Sequence, residues 1–302
     1  MATLRHLHPA VTRRDLKCLV TEYREAYIKA HGLVTQELRW PEPGFVWTMD
    51  HTELPAPAAD GERYALSVRD LGSGCQLLWK PVESPDAAST VRLLLGLFFT
   101  HGAPLVLKSD NGSAFIAWVT EALLRWWNVV HLLSPLRRPG YNGVVEVGMQ
   151  WLKPRTEHAA RRAGRAGVLR PEDFVHARKV ANEMTWPERS GGSTRPIDLW
   201  EARRAIAGAL RSAFGNAVAA DERELKGRLR GAPGKRALAK ARRDAIRRAL
   251  VAYGFLLVRR RPITPREPAP KAANITRGLQ PTHKEHREQR GRSIGFDGGR
   301  RV

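Results

Sequence analysis

Three short runs of alternating side chains, followed by helix and strand in turn, constrain the fold of this 302-residue chain more than any other feature. In "FVWTMDHTEL" (Phe45–Leu54), Phe45, Trp47 and Met49 share one face, and Val46, Thr48 and Asp50 share the other. Successive side chains of a strand point to opposite sides, so this alternation predicts a strand. "RYALSVRD" (Arg63–Asp70) and "CQLLWKPV" (Cys75–Val82) repeat the pattern and are joined by "LGSG", a turn short enough for neighbouring strands. Ser84, Pro85 and Gly102 then bracket a helix, with a cap, a first-turn proline and a stop in the expected places. "LVLKSD" (Leu105–Asp110) predicts a strand, Ser113–Asn128 a helix, and "VVHLLS" (Val129–Ser134) another strand. After the loop "PLRRPGYNG", a long helix starts near Asn142. Three strands followed by such alternation predict an α/β fold, a mixed sheet flanked by helices.

The flanks read differently. Residues 11–39 predict a helix, with Leu16, Leu19, Val20, Tyr23 and Tyr27 near helical spacing and Gly32 as a stop. "WPEPG" (Trp40–Gly44) breaks the chain before the strands. Helical patterning returns from Pro171 to Leu210, interrupted by "RSGGSTRP", and again over 220–250, with "GFLLVRRRPIT" as one strand. Beyond Pro262 the abundance of Pro, Gly, His and charge predicts disorder. The divisions expected are an N-terminal helical segment (1–40), a core (41–165), a helical extension (166–215), a basic C-terminal region (216–262) and a basic tail (263–302).

Charge narrows the partner. Lys and Arg number 51 against 30 Asp and Glu, a net +21. Residues 221–302 alone hold 23 basic and 8 acidic side chains, or +15. Such an excess suits a polyanion, and Arg in particular matches phosphate through its planar fork. No apolar run nears the roughly 18 residues of a membrane span, and the first twenty residues lack the apolar segment of a secretory signal. Cys18 and Cys75 are too few for a disulfide framework or a Cys-rich zinc site, and His6 and His8 with Cys18 do not supply two His and two Cys for zinc. A cytoplasmic, nucleoid-associated protein without zinc or membrane contact is expected.

Three carboxylates stand where a charge is awkward unless used. Asp50 interrupts an apolar strand, Asp110 closes another and opens "DNGSAF", and Glu146 lies in the first turns of the long helix. Asp70 also ends a strand, and residue type alone leaves the choice between it and Asp50 open. At about 100° per residue, Asn142, Glu146, Gln150 and Lys153 form one polar line along the helix. Val145, Met149 and Leu152 flank it on one side, and Val144, Val147 and Trp151 on the other. Converging carboxylates call for a cation, and oxygen ligands suit a hard divalent ion such as Mg²⁺. Lys153 reads equally as a phosphate contact and as a surface lysine lying along apolar neighbours.

Between Asp50 and Asp110 lie 59 residues, and between Asp110 and Glu146 lie 35. With "VWTMDHTE", "LKSDNGSAF" and "SPLRRPGYNGVVE" around them, the stretch from about Gly44 to Arg162 resembles the catalytic core of the DDE transposase/retroviral-type integrase family. Ser134, Pro135, Pro139, Asn142, Gly143 and Glu146 match the family's Ser-Pro, Pro, Asn-Gly, Glu pattern. "STRPIDLW" resembles a further family element, and "LLVRRRPITP" is similar to the C-terminal part of bacterial insertion-sequence transposases. The resemblance implies an RNase H-like fold and a catalytic triad of Asp50, Asp110 and Glu146 that holds two Mg²⁺ or Mn²⁺ ions. It further implies DNA cleavage and strand transfer by a homo-oligomer on element ends and target DNA. It gives Asp70 the place of an acidic residue that ends the second strand. DNA contacts are expected at Asn142, Gln150, Lys153, Arg259, Arg260 and Arg261. The short stretch before the core leads to the expectation of a split or truncated element, or of DNA held through the basic C-terminal region. A non-catalytic DNA-binding relative and a ribonuclease H-type nuclease are the alternatives.

Overall fold

The computed structural model describes residues 12–32, 34–135, 143–184, 186–187 and 193–262. Val34–Pro262 forms the larger of two compact units, and the first helix, α1 (Arg13–His31), belongs to the other. Thr12 caps α1, its Oγ1 accepting from the Asp15 amide at 3.2 Å, and Gly32 ends it at φ 54°. The helix therefore stops eight residues before Arg39, short of the span its periodicity suggests. Val34–Arg39 is instead a strand, β1, paired antiparallel with Leu257–Pro262 at the far end of the unit. A partner so distant in sequence leaves no trace in local periodicity.

The main sheet has five strands. They are β2 (Val46–Glu53), β3 (Tyr64–Asp70), β4 (Gln76–Val82), β5 (Val106–Ser109) and β6 (Val130–Leu133), in the order β4-β3-β2-β5-β6. β3 runs antiparallel to β2 and β4, whereas β5 is parallel to β2 and β6 is parallel to β5. Three hairpin-linked strands and two parallel additions, with helices on both faces, make the fold RNase H-like.

One face packs on α2 (Ala87–His101), on two short helices, α3 (Ser113–Ile116) and α4 (Trp118–Trp126), and on Trp200 of α7 (Pro196–Glu201). Trp47, Met49, Leu66, Val68, Leu94, Phe98 and Leu107 fill that layer. The helix expected over Ser113–Asn128 is thus two helices, because Ala117 is extended (φ −62°, ψ 145°) and Asn128 turns left-handed at φ 50°.

The other face is covered in two parts. Over β3 and β4 lie α5 (Gly143–Arg162) and α6 (Pro171–Glu183), burying Ala65, Trp79, Met149, Leu152 and Phe174. Over β5 and β6 lie α8 (Gly208–Gly227) and α9 (Lys235–Ala252), which bring Phe214, Val218, Ile246 and Leu250 onto Val46, Leu105, Val106 and Leu132. The single helix expected over 220–250 is therefore two, separated by a turn in which Gly231 has φ 68°. Phe45 lies with Phe255 at 4.7 Å, on the opposite side from Trp47. It precedes β2, so strand alternation does not govern it. The last strand, β9 (Leu257–Pro262), returns the chain to β1, and two residues, Trp186–Pro187 (β7) and Ser193–Thr194 (β8), make a small separate ribbon. The basic helix α9, with seven Lys or Arg and one Asp, thus also serves as one layer of the core.

Candidate active site

Asp50 and Asp110 stand on adjacent strands that end in the same direction. The parallel register of β2 and β5 pairs Val46 with Val106, Trp47 with Leu107 and Thr48 with Lys108. Two residues beyond the last pair come Asp50, inside β2, and Asp110, just past the end of β5. Neighbouring strands lie about 4.8 Å apart, and residues of equal parity share a face. Both aspartates are partly exposed. The Asp110 carboxylate also organises its own turn, with Oδ1 accepting from the Gly112 amide at 2.8 Å.

Glu146 lies on the first turns of α5, and that helix packs against β2. Met149, three residues further on, is buried with Leu54 and Ala65 of the sheet region. Gly148 leaves room for the Arg69 side chain of β3, whose Nη1 would stand 2.5 Å from a Cβ there. Arg69 is opposite Thr48 on β3, two residues from Ser67, the cross-strand partner of Asp50. At the other end of α5, Trp79 Nε1 of β4 donates to Thr156 Oγ1 at 2.9 Å. The side chain of Glu146 lies outside the described residues, as do all of Asn142 and the side chain of Arg261. Among the described residues no three His, Cys, Asp or Glu side chains gather as a metal site.

Asp70 has another task. Its Oδ1 accepts from the Gly44 amide at 2.9 Å, and Oδ2 accepts from the amide and hydroxyl of Ser73, both at 2.7 Å. Burial pushes its carboxyl up while these three donors pull the other way. Asp70 therefore ties the β3–β4 turn to the entry of β2. His51 alternates away from Asp50 and stacks on Phe115, with ring centroids 4.8 Å apart and planes 6° apart. Burial holds its pKa below the usual histidine value, against the pull of Asp110 and Asp86.

Of the polar line on α5, Gln150 is exposed and Lys153 half-buried. Met149 and Leu152 make one buried flank, but Trp151 on the other side is 51% exposed, with the Arg155 guanidinium 5.4 Å from its ring centroid. The stripe is therefore bordered by core on one side and, at Trp151, by solvent. A groove of about 690 Å³ between α5 and α6 includes Gln150, Trp151 and Arg155 but neither aspartate. Arg259 and Arg260 are exposed on β9, opposite Glu37 and Gln36 of β1, in the two-stranded ribbon rather than the main sheet.

The structure adds a polar cluster beneath Asp110. Ser109, fully buried at the end of β5, has its Oγ 2.8 Å from His131 Nε2 on β6. His131 Nδ1 in turn meets Glu121 Oε1 of α4 at 2.6 Å. Ser134 donates through both its amide and its hydroxyl to the Ser109 carbonyl, at 2.9 Å each. Asn111 Nδ2 donates to the Ser134 carbonyl at 2.7 Å, so Asn111 ties two strand ends rather than only shaping a turn. The one sequence signal of this cluster is a histidine inside the otherwise apolar "VVHLLS". Serine, histidine and glutamate occur in the order of a hydrolytic triad, yet Ser109 has no exposed surface and its hydroxyl donates to the Asp110 carbonyl at 2.8 Å. It cannot serve as a nucleophile in that arrangement.

Residues 41–139 match the family model described as integrase core domain. Over these residues the chain is similar to integrase cores. The matched residues include both aspartates of the β2–β5 pair and end before Glu146. Similar proteins include the Gag-Pol polyprotein of woolly monkey sarcoma virus, 33% identical over 128 residues. That alignment covers 42% of this chain and 7% of the polyprotein, so the chain spans only a small part of the length of this relative. Among solved structures, a chain of the simian T-cell lymphotropic virus intasome with PP2A regulatory subunit B56 gamma is 16% identical (TM-score 0.49), covering 56% of this chain and 58% of that one. The catalytic core domain of BIV integrase is 21% identical (TM-score 0.41), covering 52% and 94%. In this chain the matched sheet is covered on part of one face by α8 and α9. No helix among the described residues is long and apolar enough to cross a membrane.

Proposed function

We propose that this chain is a DNA transposase or integrase that cuts DNA and transfers strands through Asp50, Asp110 and Glu146. The observation that supports the reading is the parallel β2–β5 register, two residues beyond whose last pair come Asp50, inside β2, and Asp110, just after β5, with the helix bearing Glu146 packed on β2. Carboxylate oxygens in that arrangement suit a hard divalent cation and offer no soft ligand. When bound, a pair of Mg²⁺ or Mn²⁺ ions supplies an activated water or 3′-hydroxyl and stabilises the departing oxygen. Asp50 and Asp110 hold the cations from the rigid sheet, and Glu146 completes the set from α5. Gln150 and Lys153, one and two turns further along α5, lie in line to contact the phosphate backbone. Arg259, Arg260 and Arg261 on β9 add contacts that position DNA without reading its sequence. The match to the integrase core model and the retroviral relatives supports this assignment. The working form on element ends and target DNA is a homo-oligomer.

The test is strand transfer by the purified chain on labelled element-end DNA with Mg²⁺ or Mn²⁺. Asp110→Asn removes one ligand charge with almost no change in volume. It should lower the rate by about 10²-fold or more, the scale for losing one preorganised electrostatic group, while DNA retention stays unchanged. Full activity in that variant refutes the assignment.

A further inference from the structure

We infer that Glu121, His131 and Ser109 form a hydrogen-bonded relay that positions Asp110 for its ligand. The inference rests on the reading of Asp110 as a cation-binding carboxylate.

Proton counting sets the direction of every bond in the relay. A carbonyl oxygen only accepts, so the single Ser109 hydroxyl proton goes to the Asp110 carbonyl at 2.8 Å. Ser109 Oγ must then accept from His131, which places a proton on Nε2 across the 2.8 Å contact. The 2.6 Å contact between His131 Nδ1 and Glu121 Oε1 also needs a proton. His131 thus joins Ser109 and Glu121 through its two ring nitrogens. The Glu121 carboxyl is held below its usual range, first by this hydrogen bond, and Arg125 and Arg242 act in the same direction. The chain therefore runs from a partly exposed carboxylate on α4, through a buried ring on β6, to the backbone of Asp110.

Each link comes from a different element. The Asp110 peptide is thereby tied to α4 and β6 as well as to its own strand, and Ser134 holds the Ser109 carbonyl from the other side. A carboxylate ligand loses effectiveness when its backbone can rotate or shift by a fraction of an ångström. Outer hydrogen bonds of this kind typically contribute 10–100-fold to metal affinity or activity. The relay touches no substrate, so its members are positioning residues.

The test uses the full chain and two readouts that do not depend on catalysis. Binding of Mn²⁺ is measured from the free-ion signal in electron paramagnetic resonance, and the His131 ring is observed by NMR after ¹⁵N-histidine labelling. Ser109→Ala and Glu121→Leu should each weaken Mn²⁺ binding by about 10-fold or more. Glu121→Gln retains a donor or acceptor for Nδ1 and should stay within about 3-fold of the parent. Glu121 is partly exposed, so Glu121→Leu keeps the experiment decisive if Ser109→Ala fails to fold. A hydrogen-bonded His131 ring N–H signal in the parent chain that is lost in Glu121→Leu supports the relay, and its absence from the parent overturns it. Parental Mn²⁺ binding in folded Ser109→Ala or Glu121→Leu also overturns it. If the parent chain binds Mn²⁺ no better than Asp110→Asn, the carboxylate-site reading fails and the relay's purpose fails with it.

Discussion

Replacing Phe214 with alanine tests whether the basic C-terminal helices are part of the core or an appendage to it. Phe214 is fully buried on α8, with ring centroids 5.6 Å from Tyr253 and 6.2 Å from Phe255. Phe255 in turn lies on Phe45 at the start of β2, so these rings join the C-terminal helices to the central strand of the sheet. Removing a buried phenyl ring costs about 3–5 kcal/mol, as lost transfer energy plus the cavity left behind. For a cooperative unit of this size each kcal/mol lowers the midpoint by about 2–4 °C. The expected fall is therefore about 6–20 °C. Thermal unfolding of the full chain, followed by far-UV and near-UV circular dichroism, measures it. The near-UV band reports tryptophans such as Trp47 and Trp79, which lie outside the Phe214 cluster. Both signals should shift together. A loss below about 1 kcal/mol, or early melting of helix with the tryptophan signal unmoved, would show that the sheet does not depend on α8 and α9.

Two further perturbations probe other parts of the unit. Cys18 is exposed, whereas the Cys75 thiol is buried and pushed up to about 12, chiefly by burial and then by Asp70. At pH 8 a thiol reagent should label Cys18 promptly and Cys75 only after denaturation, and equal labelling rates would contradict the packing of β4. Asp173 is buried; burial alone would raise its carboxyl, but the Arg165 fork (2.8 and 2.9 Å) and the Arg170 amide (2.8 Å) outweigh that and lower it. A lowered folded pKa gives stability that is full above the ordinary aspartate range and is lost as pH falls through the folded value. Asp173→Asn should therefore melt earlier than the parent at pH 7, with the gap closing in acid, and a gap independent of pH would contradict the pairing.

The candidate site was legible in sequence to the extent that it rests on local order. Strand alternation around Asp50, the apolar run before Asp110 and the 35-residue interval to Glu146 can all be read without coordinates. The polar cluster beneath Asp110 was not legible, because Glu121, His131 and Ser109 come from three elements and share no spacing rule. Asp50 and Asp70 looked alike in sequence. The structure gives Asp70 a task of its own, since Gly44 and Ser73 supply its carboxylate with three donors.

Sequence by itself determined the order of strands and helices from Phe45 to Ser134, because alternation, caps and glycine stops act over a few residues. It also determined the acidic positions and the excess of arginine. Only the tertiary structure decided that Val34–Arg39 is a strand, since its partner Leu257–Pro262 lies at the other end of the unit. It likewise decided that the charged helices 208–227 and 235–252 cover the sheet. The second of them is strongly basic, but Phe214, Val218, Ile246 and Leu250 point inward and bury apolar surface that β2, β5 and β6 would otherwise expose to water. Charge counts add along the chain, whereas burial depends on which faces meet, and that is set by contacts between distant residues.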